Sequence, residues 1–257
     1  MESPSRKDLE LNEVRWWANW VQVRWIGPSG YLLSSGAIRE PFFNRAGTVT
    51  CAGVGRTAAW AERELAPLGM DSTVTIFDSC AHAARALADS GYNPVDSMAV
   101  LISRGPIRAD NPLRASITSS PSADSWSRTY LEAFYGEQKL APLIVPTARH
   151  LLNLGAVTLM EARVGGRAAG VLALFRSRGL AGAYCVGTVP EHRRRGVAAL
   201  LLSRARAIAD AEGRQLVLQS LASDGTEHYY LERGFVRLYC KMMLTKENSN
   251  ALHKKSA

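Results

Sequence analysis

At 257 residues, with 47% hydrophobic and 21% charged side chains, the chain suits one large domain or two small ones and is too apolar for wholesale disorder. Its longest apolar runs, such as residues 197–202, fall far short of the ~20 residues that span a bilayer, and the charged N-terminus lacks a signal-peptide core. Membrane-spanning and exported classes are therefore not expected, and a cytoplasmic location is. The net charge of +8 rests on 25 arginines against six lysines, which suits an anionic partner: nucleic acid, a membrane surface or a phosphate-bearing cofactor. An arginine-rich genome would leave the same excess.

In chain order, residues 8–25 begin with helical spacing (Leu9, Glu13, Trp16, Trp17, Trp20) and then alternate through Val21, Val23 and Trp25, so a helix and a strand are expected. Glu10 and Glu13 read as its solvent face and the tryptophans as core. Short strands are expected at 31–37 and 48–52, around a Phe42-Phe43-Asn44-Arg45 corner. A helix at 57–66, a strand at 73–77, a helix at 79–90 closed by Gly91, and a strand at 98–103 follow.

The stretch 104–112, with two prolines, reads as a linker. Beyond it the order repeats: a strand at 115–119, helices at 123–135 and 141–154, and a hairpin at 158–175 turning on Gly165-Gly166. Both halves carry a helix that closes on glycine and an aromatic, Gly91-Tyr92 and Gly234-Phe235. A duplicated α/β unit is expected, with boundaries at 1–106 and 107–245 and a disordered tail at 246–257.

Chemistry is concentrated between residues 183 and 211. A strand ends at Pro190, an Arg- and Gly-rich turn follows, and an apolar helix runs to Ala211 before Gly213 stops it. A helix start presents unpaired amides and positive potential, and Gly196 lets an anion approach the backbone. The four cysteines (51, 80, 185, 240) lie singly without CxxC spacing, so reduced thiols are expected rather than a zinc or disulfide framework. The five histidines lack metal-ligand spacing, His192 and His228 read as surface residues, and no metal is expected.

Val189-Pro-Glu-His-Arg-Arg-Arg-Gly-Val-Ala198 resembles the acetyl-CoA signature of the GNAT-family N-acetyltransferases, with Arg193, Gly196 and Ala198 in the three signature positions. Tyr230-Leu-Glu-Arg-Gly-Phe235 is similar to that family's Tyr-x-x-x-Gly-Phe helix end and lies at the expected distance. The resemblance implies two GNAT-like lobes, each a mixed, mostly antiparallel splayed sheet flanked by helices. It also implies acetyl-CoA as co-substrate. Pantetheine would lie along Val186, Gly187, Thr188 and Val189, and pyrophosphate on the turn Arg193, Arg194, Arg195, Gly196, Val197, Ala198, Ala199. Ser223 stands where relatives often hold pantetheine with asparagine. Tyr230 takes the general-acid position, and Tyr229 is left structural.

Departures from the family pattern matter too. The strand 183–189 carries no glutamate, so Glu161 is the substitute base, with Glu132 and Glu137 behind it and a water-mediated route as an alternative. The first half lacks the Arg-x-x-Gly-x-Gly/Ala turn: Cys51-Ala-Gly-Val-Gly-Arg56 is the nearest pattern, and no long apolar helix is expected directly behind it. The chain is thus expected to be a tandem acetyltransferase with a degenerate first lobe. It would acetylate a primary amine of a small molecule or peptide by direct attack in a ternary complex. A catalytically weak acyl-CoA sensor is the alternative, and a nucleic-acid partner is not expected because residues 193–195 form the only tight basic cluster.

Overall fold

A computed structural model describes residues 3–109 and 114–248. In its first part the chain forms α1 (Arg6–Trp17), β1 (Gln22–Ile26), β2 (Gly30–Ser34), β3 (Arg45–Thr48), α2 (Val54–Leu65), β4 (Ser72–Phe77), α3 (Ala81–Asp89) and β5 (Asn93–Ser103). Then come β6 (Ser116–Ser119), α4 (Ala123–Phe134), α5 (Ala141–Leu152), β7 (Val157–Val164), β8 (Arg167–Ser177) and β9 (Leu180–Thr188). The chain ends with α6 (Val197–Ala211), β10 (Gln215–Leu221), α7 (Glu227–Leu231) and β11 (Phe235–Lys246).

Two compact units result. One comprises Met1–Val100, Ser220–Glu227 and Arg237–Ala257; the other comprises Leu101–Gln219 and His228–Val236. The change of unit comes after Val100, and two later segments return to the first unit. Of the expected tail, Lys246 closes β11 and Asn248 donates to the carbonyls of Ala66 and Met70, while 249–257 lie outside the described residues. Residues 110–112 of the expected linker also lie outside them. Among the described residues, no helix is long and apolar enough to cross a membrane.

Within the first unit the strand order is β1-β2-β3-β4-β11. Neighbours are antiparallel except β3 and β4, which run parallel through Ala46↔Val74 and Gly47↔Thr75. Ser5 caps α1 by accepting from the Asp8 amide at 3.1 Å, and Trp16 and Trp17 enter the core as expected. Glu10 and Glu13 do not face solvent: both are buried, and they meet Arg45 and Lys241, which are buried as well. The Phe42–Arg45 corner is likewise mostly core, with Phe43, Asn44 and Arg45 buried. At Gly47 a Cβ would stand 2.4 Å from the Tyr31 hydroxyl oxygen, so only glycine lets that ring cross the strand.

Three expectations for this half change. The strand placed at 48–52 lies at 45–48, because residues after Thr48 turn to enter α2. The helix expected at 57–66 starts three residues earlier, inside the Cys51–Arg56 pattern, as the amphipathic α2 with the left-handed Gly53 (φ +79°) as its N-cap. Its Val54, Ala58, Ala61 and Leu65 pack in one core with Leu32, Val74 and Leu244. The first unit thus keeps the strand–turn–helix–parallel strand frame and lacks the arginine-rich turn.

The third change concerns the cysteines: Cys51 and Cys80 are joined by a disulfide, with Cα atoms 5.6 Å apart, and only Cys185 and Cys240 are free. The bond links the turn before α2 to the N-cap of α3 across 29 residues. A loop of that size stabilises by about 3–4 kcal/mol through the unfolded chain. Melting with and without a dithiol reductant should therefore show a drop of several degrees on reduction, absent in Cys51→Ser.

In the second unit the strand order is β10-β9-β8-β7-β6. The hairpin β7–β8 turns on Gly165 and Gly166, both at positive φ, and β6 through β9 are antiparallel neighbours. Ser122 caps α4, which buries Trp126, Tyr130 and Leu131 and lies against β7, β8 and β9. The apolar stripe of α6 (Val197, Leu201, Leu202, Ala205) packs on the same strands.

Candidate active site

β9 and β10 run parallel, but their register covers only Leu180↔Gln215, Ala181↔Leu216 and Gly182↔Val217. β9 nevertheless continues to Thr188 and β10 to Leu221, so the strands part after three residue pairs. A parted edge exposes backbone donors and acceptors that a ligand can take up. On its other side β9 pairs with β8, with an irregularity where Val171↔Gly187 gives way to Ala173↔Tyr184. There Cys185 adopts φ +52°, unusual for a residue with a side chain, and marks a bulge that bends the strand.

The bend leads into Val189, whose amide donates to the Ala169 carbonyl at 3.0 Å, and then into a short turn, Pro190–His192. Arg194 and Gly196 both take left-handed backbone angles (φ +60° and +83°), and Gly196 is the N-cap of α6 without a side-chain cap. The Leu200 amide makes a helical bond back to Gly196. Amides ahead of it form the open start of the helix, an anion-binding surface by geometry and by dipole.

Of the three turn arginines, Arg193 is committed to the fold. Its Nε donates to the Thr188 carbonyl at 3.2 Å and its Nη2 to the Ala133 carbonyl at 3.0 Å, clamping the turn to the C-terminal end of α4. Arg194 and Arg195 are exposed. Close approach is built in elsewhere as well. A Cβ on Gly170 would stand 2.7 Å from the Gly187 carbonyl oxygen, and one on Gly187 would meet the Phe134 ring at 2.6 Å.

Tyr230 belongs to this unit. It is buried on α7, with its ring edge-on to Phe235 at 5.9 Å and to Tyr229 at 5.4 Å. Tyr229 instead lies under the Arg233 guanidinium, 3.6 Å from its ring centroid, and burial raises its hydroxyl pKa.

Other expected residues have different employment. Glu161 is fully buried on β7 and accepts from Ser125 at 2.7 Å and from Thr129 at 3.4 Å, besides pairing with Arg163. A carboxylate so surrounded anchors α4 to the sheet and has no open face for an incoming amine. Glu137 pairs with Lys139 at 2.9 Å. Ser223 belongs to the first unit, where its hydroxyl donates to Asp96 at 2.6 Å and its amide to the same carboxylate at 3.2 Å. His228 is exposed, whereas His192 is half-buried with Nδ1 enclosed and unpartnered. Among the described residues no cluster of His, Cys, Asp or Glu is arranged to hold a metal.

No sequence motif marks Phe134 or Cys185 as part of the site. Spacing at 126, 130 and 134 is a legible helical row, but nothing local tells that its last ring lies on Gly187. Cys185 becomes informative only through its backbone angle.

Residues 116–229 match the acetyltransferase (GNAT) domain, a span that includes the parted strands, the arginine turn and α6. This part of the chain is similar to the GNAT acetyltransferases. The fold of the whole chain is similar to the "GCN5-related N-acetyltransferase from Kribbella flavida", with a TM-score of 0.67, 16% identity and coverage of 93% of this chain and 95% of that one. A GCN5-related N-acetyltransferase from Sphaerobacter thermophilus is similar over 96% and 95% of the two chains (TM-score 0.66, 16% identity). A tandem GNAT protein from the clavulanic acid biosynthesis pathway aligns over 96% and 97% (TM-score 0.58, 14% identity). No curated protein matches the sequence. These likenesses accord with the mixed, mostly antiparallel fold expected from the motifs, and the tandem GNAT structure aligns with both halves of the chain.

Proposed function

We propose that the protein transfers an acetyl group from acetyl-CoA to a primary amine. The observation that carries this reading is the parting of β9 from β10 directly ahead of an uncapped, glycine-started helix. In this reading the free edge of Val186–Val189 takes the amide groups of pantetheine. The open amides from Arg194 to Ala199 take the pyrophosphate, with Arg194 and Arg195 adding charge and Arg193 holding the turn in place. Gly187 and Gly170 keep the strand and helix close enough for that backbone contact.

The neutral amine nitrogen attacks the thioester carbonyl carbon, forming the C–N bond. The C–S bond then breaks, Tyr230 supplies a proton to the departing sulfur, and the ammonium proton passes to water, which reprotonates Tyr230. Orientation within the ternary complex and backbone donors near the bulge supply most of the rate. Direct attack is favoured over an acyl-cysteine intermediate: burial pushes the Cys185 thiol well above the ordinary cysteine range, so it is neutral at pH 7 and a poor nucleophile. A CoA-binding sensor without turnover is the second reading, favoured by the lack of a carboxylate on Leu180–Thr188.

An acceptor screen with acetyl-CoA, read by thiol release, tests the activity; binding without thiol release from any amine would support the sensor. Gly196→Glu tests the site. It places a carboxylate at the helix start and should lower acetyl-CoA affinity by at least 100-fold in calorimetry. Gly196→Ala carries the same positive-φ strain without the charge and should bind far better, and equal affinities in the two variants would overturn the assignment.

A further inference from the structure

Phe134 has no task in the scheme above, yet its surroundings are those of a built platform. It ends α4 with its side chain half-exposed, while the two rings one and two helical turns before it are buried. Trp126 stacks on Tyr130 with centroids 5.4 Å apart and planes 6° from parallel, and Tyr130 backs Phe134 at 4.9 Å. The Arg193 bond to the Ala133 carbonyl fixes the same helix end to the turn. The outer ring therefore cannot fold away into the core, which the inner rings already fill.

Its other neighbour is the bare backbone of Gly187, whose missing Cβ is the space the ring occupies. Gly187 lies on the parted strand, so a rigid aromatic face stands beside the strand that carries the reaction in the proposed function. Charge nearby is answered locally, since the Glu137 carboxylate on the α4–α5 connection is paired with Lys139. Glu132 on α4 is partly buried and Glu137 is paired, whereas the half-exposed Phe134 ring offers an amine with an apolar body a surface.

We propose that Phe134 selects the acceptor, and that the acceptor is a primary amine bearing an aromatic or bulky apolar group that packs on the Phe134 ring. This rests on the acetyl-transfer reading. Apolar contacts of this kind discriminate by about 10–200-fold.

The test uses the full chain and three amines: 2-phenylethylamine, ethanolamine and spermidine. The expected kcat/KM for 2-phenylethylamine exceeds that of the other two by at least 10-fold. In Phe134→Ala that preference should collapse to within about 3-fold through a rise in the KM for 2-phenylethylamine, with Phe134→Leu retaining part of it. The acetyl-CoA dissociation constant should stay the same in both variants. Equal rates for the three amines, a preference for spermidine, or a preference that survives in Phe134→Ala would overturn the proposal. So would a weakened acetyl-CoA affinity, because the ring would then lie under the cofactor. If no amine is acetylated, the transfer reading fails separately, and calorimetry of 2-phenylethylamine against the CoA-saturated protein still decides. Binding that Phe134→Ala abolishes supports the platform, and no binding overturns it.

Discussion

Replacing Lys241 by methionine is expected to cost the first unit about 3–5 kcal/mol, the range for removing one partner from a buried ion pair. Lys241 Nζ lies 3.2 Å from Glu10 and in contact with Glu13, whose other oxygen takes Arg45 Nη2 at 2.7 Å. Tyr239 adds a hydroxyl donor to Glu10 at 2.8 Å. None of the four charged side chains is more than 2% exposed. Two carboxylates face two cations, and methionine would take from Glu10, whose carboxyl burial already raises, the cation that most favours its charged form, so the loss is that of an unpaired buried carboxyl or of its protonation.

A second change should restore much of the loss: Glu10→Gln in the Lys241→Met background brings the charges back to one pair, Glu13 with Arg45. Chemical denaturation of both variants at pH 7 measures the difference, and a loss below about 1 kcal/mol in Lys241→Met would mean that water reaches the cluster.

The pH dependence of the cluster sums contributions of opposite sign: burial lifts the Glu10 carboxyl above its ordinary value despite Lys241 and Tyr239, so its own contribution weakens as pH rises through the carboxylate range. Burial alone would raise Glu13, but Lys241 and Arg45 outweigh it and hold the carboxyl below its ordinary value. Its contribution is therefore complete above the unfolded carboxylate range and is lost as pH falls through the depressed folded value. Lys241 behaves in the opposite sense. Burial lowers it, Glu10 and Glu13 more than compensate, and its raised value gives stability that disappears only as pH rises beyond the ordinary lysine range. Without Lys241, Glu13 loses one of its two cations, so the acid limb of the stability curve should move to higher pH.

Residues of this cluster mark where sequence reasoning runs out. The second-unit hairpin, the α6 start and the Gly196 turn were legible, because each is written in neighbouring residues: alternation broken by Gly165-Gly166, or a strand end, a glycine and an apolar stripe in succession. Glu10 and Glu13 read as a solvent face because their partners lie 32 to 231 positions away. The Cys51–Cys80 bond is hidden for the same reason, since spacing alone does not reveal that the start of α3 folds back to the turn before α2. Pairing of β11 with β4, Lys241↔Phe77 through Lys246↔Ser72, joins the end of the chain to its first half in the same non-local way. At the candidate site, the turn is written in neighbouring residues, but the clamp made by Arg193, the bonds around Glu161 and the Asp96 partner of Ser223 are all products of tertiary packing.

Tyr230→Phe is expected to lower kcat by roughly 10²–10⁴-fold, the usual yield of one positioned proton donor. An ordinary tyrosine hydroxyl titrates near ~10 and so carries its proton at neutral pH, ready for a thiolate that forms as the C–S bond breaks. Phenylalanine keeps the ring and with it the edge contacts to Phe235 and Tyr229, so the fold should survive while the donor disappears. In the proposed transfer the hydroxyl is needed only as negative charge develops on sulfur, so acetyl-CoA affinity should change little, and kcat and kcat/KM should fall together. Tyr229→Phe is the matched control. Its ring lies under Arg233, and the guanidinium Nη1 also donates to the Tyr229 carbonyl, contacts that phenylalanine retains. That variant should turn over within a few-fold of the parent. Leaving groups separate a proton donor from a packing residue: a thioester with a more acidic thiol needs less protonation, so Tyr230→Phe should recover part of its rate with such a donor. A merely structural tyrosine would lower the melting temperature and show the same deficit with every thioester. Single-turnover rates with acetyl-CoA and with an acetyl thioester of an acidic aryl thiol, set beside melting curves for both variants, make the distinction. An unchanged single-turnover rate in folded Tyr230→Phe would assign protonation of the leaving group to water.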